Sequence, residues 1–344
     1  MGLRDYVVTR ILLTIPMMMI LLTVVFIVMR VLPGNPVLLR FEKNADPALI
    51  ATYTHALGLD KPLYLQYFDY LWELLHGNLG LSMAGTFEPV APEIMSRFPA
   101  TLELTFYAFI VAVIVGVLLG ALGARKQGGA ADNSVKVFGI LIYAFPVFFL
   151  GMILQLIFGV ALHILPVSGR LDAGVIPTSV SIAGFHFQTG ILTLDSLLSG
   201  NLAEFVDAVK HLILPAAALG LVISGTFIRM TRTNMMETMR ADFVTAARAR
   251  GLKERTVTYS YALRNAILPI VTIMGLQFAI LLSGAILTET EFNILGLGTY
   301  LVDRINFRDY TAVQGTVVFL ALLITTVSLV VDILYAYLDP RVRL

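Results

Sequence analysis

The run "LTFYAFIVAVIVGVLLGALGA" occupies residues 104–124 and contains no charged side chain. A hydrocarbon core of roughly 30 Å needs about 20 apolar helical residues, so this run is long enough to span a bilayer. The whole chain of 344 residues is also apolar, with 58% hydrophobic residues, 14% charged residues and a mean hydropathy of +0.84. These values lie outside the range of soluble globular proteins. The sequence therefore predicts an all-α integral membrane protein.

Five further runs have a similar length and composition, and with the first they predict six transmembrane helices. They cover residues 11–29, 137–162, 212–228, 266–288 and 311–338. The stretch 173–194 is also uncharged, but its Pro, Gly, Ser and Thr content makes burial of its backbone in lipid costly. We expect it to form an extramembrane loop with short strands or turns. No linker interrupts the chain, which predicts a single transmembrane domain over residues 1–344.

The distribution of charge predicts the orientation of the chain. Six spans put both termini on one side, where the terminal and connecting segments hold 15 Lys/Arg and 6 Asp/Glu. The segments on the other side hold 9 Lys/Arg and 16 Asp/Glu. Because basic segments stay in the cytoplasm, both termini are expected to be cytoplasmic. The large loop at residues 31–100 is then extracytoplasmic, and residues 231–264 form a cytoplasmic segment.

The loop at 31–100 contains two predicted helices. Asp46 is a suitable cap for the first, with Pro47 at its first position and Gly58 as its stop, and Gly77 ends the second. Aromatic residues crowd this second helix, which favours either a helix at the headgroup level or a docking surface for an extracytoplasmic partner. They are Tyr64, Tyr67, Phe68, Tyr70 and Trp72.

Several common catalytic motifs are absent from the sequence. It contains no GxxxxGK[ST] phosphate loop, no HExxH, no GxSxG and no cysteine, and its five histidines lack metal-ligand spacing. We therefore expect no catalytic residue, no metal site and no cofactor bound by this chain, and no nucleic-acid partner.

Asp332 and two glutamines are the polar residues of interest inside the predicted spans. Asp332 is the one ionisable residue within the six runs, and a structural ion pair is favoured over a proton relay, which needs more than one carrier. Gln155 and Gln277 lie near span centres, where they either line a translocation path or bond across helices. The candidate partners of Asp332 are three arginines near the same membrane face: Arg10, Arg229 and Arg232.

The cytoplasmic stretch "DFVTAARARGLKERTVTYSYALRNAILP" (residues 242–269) is short, basic and amphipathic. Asp242 is a suitable N-cap and Gly251 a suitable helix stop. The helix between them has one small-residue face with an aromatic anchor, which favours docking into another protein over binding to anionic lipid. The residues at i, i+3, i+4 and i+7 on that face are Phe243, Ala246, Ala247 and Arg250.

The segments "TAARARG" and "ALRNAILP" within this stretch resemble the EAA loop of binding-protein-dependent ABC importer permeases, in the form used by the dipeptide/oligopeptide/nickel branch. Other stretches look like the first permease subunit of that branch and follow in the right order. They are "VLPGNPV", "LGLDKPLYLQYFDYL", "GNLGLS", "PVAPEIMSRFPATLELT", "GLGTYLVDRINFRDYTAVQG" and "DILYAYLDPRVRL". The resemblance implies a type I ABC importer permease fold in the plasma (inner) membrane, with a first helix followed by a core of five.

The resemblance also implies that the helix after Asp242 is a coupling helix, held in a groove of a cytoplasmic ATPase. Thr245 stands where the general pattern has Glu, and the spacing from Gly251 to Pro269 exceeds that pattern, so the contacts of the glutamate do not carry over. The implied ATPase-coupling residues are Asp242, Phe243, Thr245, Ala246, Ala247, Arg248, Arg250, Gly251 and Leu252.

The partners implied by the resemblance are a second, homologous permease subunit, two ATP-binding cassette subunits and an extracytoplasmic substrate-binding protein. ATP and Mg are expected to bind to the cassette subunits. This chain is then half of a translocation path for di- or oligopeptides, with nickel or oligosaccharide as alternatives. Two alternatives of another class are an ion-coupled secondary transporter, which predicts several buried ionisable groups and repeated halves, and a non-catalytic membrane scaffold.

Overall fold

A computed structural model describes residues 3–31, 47–56, 58–83, 88–182 and 185–338. Regular structure within these ranges is helical apart from one short hairpin, which confirms the predicted all-α class. The helices are α1 (Leu3–Val31), α2 (Pro47–Ala56), α3 (Leu63–Leu75), α4 (Val90–Arg125), α5 (Ala130–Ala144), α6 (Val147–Ala161), α7 (Leu192–Leu198), α8 (Leu202–Thr238), α9 (Asp242–Ala249), α10 (Glu254–Ala266), α11 (Leu268–Gly284), α12 (Ile286–Glu291), α13 (Leu297–Asn306) and α14 (Tyr310–Leu338). The hairpin pairs β1 (Val180–Ile182) with β2 (Phe185–Phe187) in antiparallel register, as expected for the 173–194 loop.

Four helices are each long and apolar enough to cross a membrane: α1, α4, α8 and α14. Two bent pairs, α5 with α6 and α10 with α11, each supply one more candidate span. The described part of the chain thus has four candidate spans, or up to six if each pair crosses once. A count of six, with its orientation, stays a prediction.

The predicted span at residues 137–162 is not one straight helix, because α5 and α6 meet at an angle of 104°. Pro146 separates them, and Phe145 before it is extended, with ψ 131°. Proline disfavours helical geometry in the residue before it, which explains where the helix stops. The second half of α6 is wound as a π-helix over Gln155–Ala161. In the other bent pair Pro269 lies in the first turn of α11, where its missing N–H is tolerated.

Helices α4 and α8 extend well beyond the spans predicted at residues 104–124 and 212–228. Helix α4 begins at Val90, so the loop predicted at 31–100 is shorter at its end than the sequence suggested. The first turns of α4 carry charged side chains, so a search for uncharged runs does not include these turns in the predicted span. Buried acids therefore lie in long helices outside the predicted runs: Glu103 in α4 is 2% exposed and Asp132 in α5 is fully buried. Asp332 remains the one acidic residue within the six predicted runs, and these two buried acids lie just outside them.

Helices α4 and α8 pack closely because glycines line their contact. A Cβ atom on Gly116 would lie 2.3 Å from Cβ of Phe227, and one on Gly120 would lie 2.6 Å from Cβ of Thr231. On α8, a Cβ atom on Gly220 would lie 2.4 Å from the backbone oxygen of Ala108. Gly116 and Gly120 form a GxxxG pair, a spacing that lets membrane helices approach to backbone contact. These two helices form the centre of the bundle.

Helix α1 lies at the periphery and packs mainly against α14. Near its C-terminal end, Thr23 shares a 2.6 Å hydrogen bond with the Tyr67 hydroxyl on α3, and the Phe26 ring lies 5.2 Å from the Tyr67 ring. At its other end Nη1 of Arg10 lies 3.5 Å from Oδ2 of Asp332. Arg10 is thus the candidate arginine that the structure brings to Asp332.

Buried carboxylates join the loops to α4 at the end of the bundle where α4 begins. Glu103 accepts hydrogen bonds from the backbone and the hydroxyl of Thr193 at 2.8 and 2.7 Å, and it pairs with Arg170 at 2.5 Å. Glu289 on α12 accepts from the Thr101 hydroxyl at 2.6 Å and from the backbone of Gly298 at 2.7 Å. Protein donors take the place of water around each carboxylate, because a buried charge must be hydrogen-bonded or paired.

The two predicted helices between α1 and α4 are present. Pro47 is the first residue of α2, and Gly58 and Gly77 have positive φ after α2 and α3, at 63° and 74°. The predicted Asp46 cap and the terminal stretch 339–344 lie outside the described residues. On α3 the five aromatic residues divide: Tyr64, Phe68 and Trp72 are exposed, whereas Tyr67 and Tyr70 turn toward α1.

Candidate functional site

Helix α9 is a short helix that lies across the ends of α4, α8 and α10. Its inner face is anchored by Val244 and Ala247, which are 0% and 2% exposed. They pack in one apolar cluster with residues from the ends of the three longer helices: Ala121, Ala124, Met235, Val257, Ala262 and Ala266. Movement of α9 is therefore coupled by direct packing to three helices of the bundle.

Both ends of α9 are defined by backbone geometry. The predicted N-cap is wrong by one residue: Ala241 holds the cap position, without a side-chain bond, and Asp242 is in the first helical turn. A carboxylate there is still favourable beside the positive end of the helix dipole. At the other end the N–H of Leu252 donates to Ala247 and that of Gly251 donates to Arg248, at 3.4 and 2.9 Å. Together with φ 71° at Gly251, these bonds form a Schellman motif, which confirms the predicted stop.

The outer face of α9 is exposed over its whole length. Phe243 is 42% exposed, although the sequence pattern treated it as an anchor with Ala246 and Ala247 on one face. Ala247 instead points into the bundle, and Val244 is the buried apolar anchor. The assignment of Ala247 to the docking face is therefore wrong, and Leu252 is half-buried in the same inner cluster. The candidate coupling residues that remain exposed are Asp242, Phe243, Thr245, Ala246, Arg248, Arg250 and Gly251.

A basic recess lies beside α9. It is a cavity of about 560 Å³ between α9, the end of α8 and the turn after α4, and no acidic residue lines it. Arg248 also bonds Glu254 through Nε at 2.7 Å, but both side chains are about half exposed, so this pair adds little to stability. The basic residues in its wall are Arg125, Lys126, Arg240 and Arg248. This end of the bundle is thus suited to an acidic or phosphate-bearing surface.

A buried ion pair supports the same end. Asp132 on α5 accepts from Nε and Nη2 of Arg232 on α8 at 2.6 and 3.0 Å, and from the backbone of Gly128 at 2.9 Å. The ammonium group of Lys136 lies 2.9 Å from the same carboxylate. Arg232 is thus engaged with Asp132 and not with Asp332, and the turn before α5 is tied to α8.

The two glutamines predicted to line a path have different surroundings. The Gln155 amide, where α6 becomes a π-helix, donates to the backbone oxygen of Val167 at 2.8 Å and to that of Glu291 at 3.5 Å. These bonds hold the loop around Val167 against α6, which fits the alternative that Gln155 forms hydrogen bonds between elements instead of lining a path. Gln277 is half-buried on α11. A path role for either residue stays a prediction.

Glu291 at the end of α12 is a buried carboxylate that sequence reasoning missed. Both of its carboxylate oxygens are shielded from solvent and have no hydrogen-bond partner among the described residues. Burial raises the pKa of Glu291 to about 7, and it raises that of the hydrogen-bonded Glu289 to about 6. Both residues follow the predicted span at 266–288, so no local pattern distinguished them from loop acids.

A histidine also lies with two aspartates. His211 on α8 is 5% exposed, its Nδ1 lies 3.2 Å from Asp207, and its Nε2 lies 3.7 Å from Asp172. Asp207 also accepts from the backbone N–H of Asp172, at 2.9 Å. This internal pairing holds the segment before β1 against α8. The expectation that the chain binds no metal stays a prediction.

Comparison with known proteins gives a consistent result over nearly the whole chain. Residues 112–344 match the family described as "Binding-protein-dependent transport system inner membrane component", and residues 3–105 match the N-terminal part described for such membrane components.

Several curated relatives match over nearly their full length. The Di/tripeptide transport system permease protein DppB of Pseudomonas aeruginosa is 42% identical over 340 residues, 98% of each chain. The Dipeptide transport system permease protein DppB of Escherichia coli K12 is 40% identical over 340 residues, again 98% of each chain. The Glutathione transport system permease protein GsiC of Salmonella choleraesuis is 35% identical over 339 residues, covering 98% of this chain and 99% of that protein.

Proposed function

The chain belongs to the family of binding-protein-dependent transport system inner membrane components, and on this premise we propose that it is a permease subunit of an ATP-driven importer of short peptides. It spans the inner membrane and has no ATPase of its own, so separate subunits of the complex hydrolyse ATP. The family and the full-length identity to dipeptide permeases support this function together.

The observation that carries the proposal at the level of mechanism is that α9 is buried on one face and exposed on the other. Val244 and Ala247 fix its inner face to the bundle, whereas Phe243, Thr245 and Ala246 on the rest of its surface are exposed. A surface helix without a partner has no need for an exposed phenylalanine beside small residues, while a groove in a partner accepts both. We assign this exposed face to contact with an ATP-binding cassette subunit.

The proposed orientation puts α9 and both termini in the cytoplasm. The excess of Lys and Arg in the segments on that side supports it, and so does the basic recess beside α9. Helix α3, the β1–β2 hairpin and α13 then lie on the extracytoplasmic side, where the loops connected to Glu103 and Glu289 offer a rigid surface to a substrate-binding protein.

In the proposed mechanism, closure of the ATPase subunits moves α9, and α9 moves α4, α8 and α10 through the cluster around Val244 and Ala247. The Asp132–Arg232 pair makes the α4–α5 turn follow α8. A second, homologous permease subunit supplies the other half of the path. Alternating access is then a shift between two packings, driven by the different affinities of ATP and the binding protein for each.

Short peptides are the proposed substrate. The matched proteins are named for dipeptides, di- and tripeptides, and glutathione, which is consistent with one size class of cargo. Nickel and oligosaccharide remain the alternatives within the same machinery. A separate binding protein delivers the cargo, so we assign cargo selection to that protein and to no residue of this chain.

Affinity purification tests the coupling role. The tagged chain, expressed with its partner subunits, should recover two ATPase subunits, and Phe243→Ala and Ala246→Glu should release them while the permease stays folded. Ser134→Glu is the matched control, because Ser134 is exposed on α5 at the same end of the bundle and gains the same charge. Retention of the ATPase by Ala246→Glu, with normal folding, would show that α9 is not the docking element.

Reconstitution tests the transport function itself. The vesicles contain both permease subunits and the ATPase, and they are supplied with the binding protein and labelled dipeptide. They should accumulate the dipeptide only when ATP is present on the side of the membrane where α9 lies. Dissipation of the proton gradient should leave uptake unchanged. Uptake by this chain alone, driven by an ion gradient without ATP, contradicts the proposal and favours a secondary transporter.

A further inference from the structure

A cavity of about 460 Å³ lies at the C-terminal end of α1, where that helix meets α3 and the beginning of α14. Each of the three helices contributes polar side chains to its wall. They include Arg30 from α1, Gln66, Tyr70 and Trp72 from α3, and Gln314 from α14. The cavity is far from α9 and from the residues assigned to coupling.

Four side chains in the wall have buried polar atoms without a hydrogen-bond partner among the described residues. Three of these atoms are donors: Nε of Arg30, the hydroxyl of Tyr70 and Nε2 of Gln314, of which the last two lie beside each other and interact without full hydrogen-bond geometry. The fourth is the acceptor Oε1 of Gln66, whose Nε2 bonds the backbone oxygen of Lys61 at 2.7 Å. Gln314 is only 8% exposed, and unsatisfied buried polar groups are rare enough to require an explanation.

The charges around the cavity leave Arg30 uncompensated. Four other charged or basic residues line the wall. Lys61 pairs with Asp69 at 2.7 Å, His55 pairs with Asp60 at 2.7 Å, and the Glu73 carboxylate accepts from the neutral Asn78 amide at 2.5 Å. The described residues offer Arg30 no carboxylate. Its guanidinium lies 5.9 Å from the Phe26 ring centroid, a contact that does not neutralise the charge. Arg30 therefore presents a positive charge without an ion-pair partner beside two neutral donors, while the Glu73 carboxylate elsewhere in the wall is bonded to Asn78.

We propose that this cavity binds the phosphodiester headgroup of an anionic phospholipid, with Arg30, Tyr70 and Gln314 donating to the phosphate oxygens. A phosphate accepts several hydrogen bonds and carries the charge that Arg30 lacks. A neutral sugar or a cation fits this donor set less well, since it leaves the guanidinium uncompensated.

The surroundings of the cavity favour a lipid over a soluble anion. On the N-terminal side of Arg30, the outer surface of α1 exposes Val24, Ile27 and Val28, which form an apolar surface for acyl chains. Beside the cavity, Phe68 and Trp72 on α3 are each 64% exposed, and exposed aromatic rings of this kind favour the headgroup region. Arg30 in the last turn of α1 lies at the end of the apolar run, at headgroup depth.

This inference goes beyond the transport function and does not depend on it. A bound headgroup joins α1, α3 and α14. Without it, the Thr23–Tyr67 hydrogen bond and the Phe26 ring contacts hold α1 to α3, and α1 packs along α14. Anionic lipid then sets how firmly the peripheral helix is attached to the bundle.

Binding of defined lipids to the purified full-length chain tests the proposal. Native mass spectrometry and thermal unfolding are performed with phosphatidylglycerol, phosphatidylcholine and inorganic phosphate as separate probes. We expect phosphatidylglycerol to bind at least about fivefold more tightly than phosphatidylcholine, the scale expected for one basic side chain at an anionic surface. Arg30→Gln should abolish this preference, whereas Lys210→Gln, which removes an exposed positive charge from α8, should preserve it.

Gln314→Glu separates loss of binding from loss of folding. The new carboxylate supplies a charge partner for Arg30 from within the chain, so this variant should lose the phosphatidylglycerol preference while its unfolding temperature without lipid stays the same or rises. Equal affinity of the wild-type chain for the two lipids would overturn the proposal. So would displacement of phosphatidylglycerol by low-millimolar inorganic phosphate, which would assign the cavity to a free anion.

Discussion

Arg232 on α8 donates to both carboxylate oxygens of Asp132 on α5, at 2.6 and 3.0 Å, although 100 positions separate the two residues in the chain. The Asp132 side chain is fully buried and that of Arg232 is 16% exposed. Two parallel N–H bonds of this kind fix orientation as well as charge. The pair therefore sets the position of the α4–α5 turn relative to α8, next to the helix that we assign to ATPase contact.

Asp132→Asn is expected to destabilise the protein by about 3 kcal/mol, because it leaves the Arg232 guanidinium buried without a counter-charge. The measurement is the free energy of unfolding of the purified chain in denaturant. Lys136→Gln is the control: Lys136 also contacts Asp132, at 2.9 Å, but it is 40% exposed, so we expect a loss below about 1 kcal/mol. Similar losses in the two variants would contradict the role given to the Arg232 pair.

Thr101→Val is expected to cost about 2 kcal/mol, because one hydroxyl serves two buried partners. It donates to Glu289 at 2.6 Å and accepts from the Leu297 N–H at 2.8 Å. Burial already raises the pKa of Glu289 to about 6, and loss of this donor should raise it further. Thr105→Val, one turn along α4, removes only a bond to the Thr101 backbone oxygen and should cost less than about 1 kcal/mol.

Glu291→Gln is expected to stabilise the protein at alkaline pH. The carboxyl of Glu291 has an ordinary pKa of 4.5, and burial raises it to about 7 in the folded chain. Between these values the folded protein binds more protons than the unfolded one, so the contribution of Glu291 to the free energy of unfolding falls as pH rises. Above the folded pKa this loss is complete.

Thermal unfolding of the wild-type chain and of Glu291→Gln at several pH values checks this prediction. The stability of the variant relative to wild type should grow by about 1 kcal/mol between about pH 5 and about pH 8, after allowance for solvent screening at a partly exposed residue. A difference that stays constant with pH would mean that Glu291 is ionised throughout in the folded protein.

Gly220→Ala is expected to disrupt the α4–α8 contact at a cost of about 2 kcal/mol, since overpacking forces the backbones apart. The added Cβ would lie 2.4 Å from the backbone oxygen of Ala108, which has no rotamer by which to move away. Gly123→Ala on α4 is the control, because its nearest neighbour is a Val135 methyl group at 3.3 Å. The yield of folded protein and its unfolding temperature should fall for Gly220→Ala alone.

The membrane-crossing helices were predictable because lack of charge over some 20 residues is a local property of the sequence. Their ends were not, since α4 begins with charged turns near Glu93 and Arg97, outside any uncharged run. Pro146 was visible in the sequence, but the 104° bend between α5 and α6 depends on what the following segment packs against. Local composition therefore identified the spans without their lengths or bends.

The position of helix α9 was also predictable, from the charge of its segment and from the Gly251 stop. Which face of α9 points inward was not, because Phe243 and Val244 are both apolar and adjacent, and spacing alone does not choose between them. The cavity at the C-terminal end of α1, which we propose to bind lipid, gave no signal in the sequence. Arg30, Tyr70 and Gln314 come from three distant parts of the chain, and only the packing of α1 against α3 and α14 brings them together.

The pairing of α1 with α14 has a consequence for biogenesis. Helix α1 precedes α14 in the chain by all the other helices of the bundle, so α1 enters the bilayer long before its main partner exists. During that interval it must persist as a lone span surrounded by lipid. Its exposed side chains suit that period: Leu12, Met17 and Ile20 are each more than half exposed even in the finished bundle. The order of synthesis thus accounts for a helix that is apolar on every side.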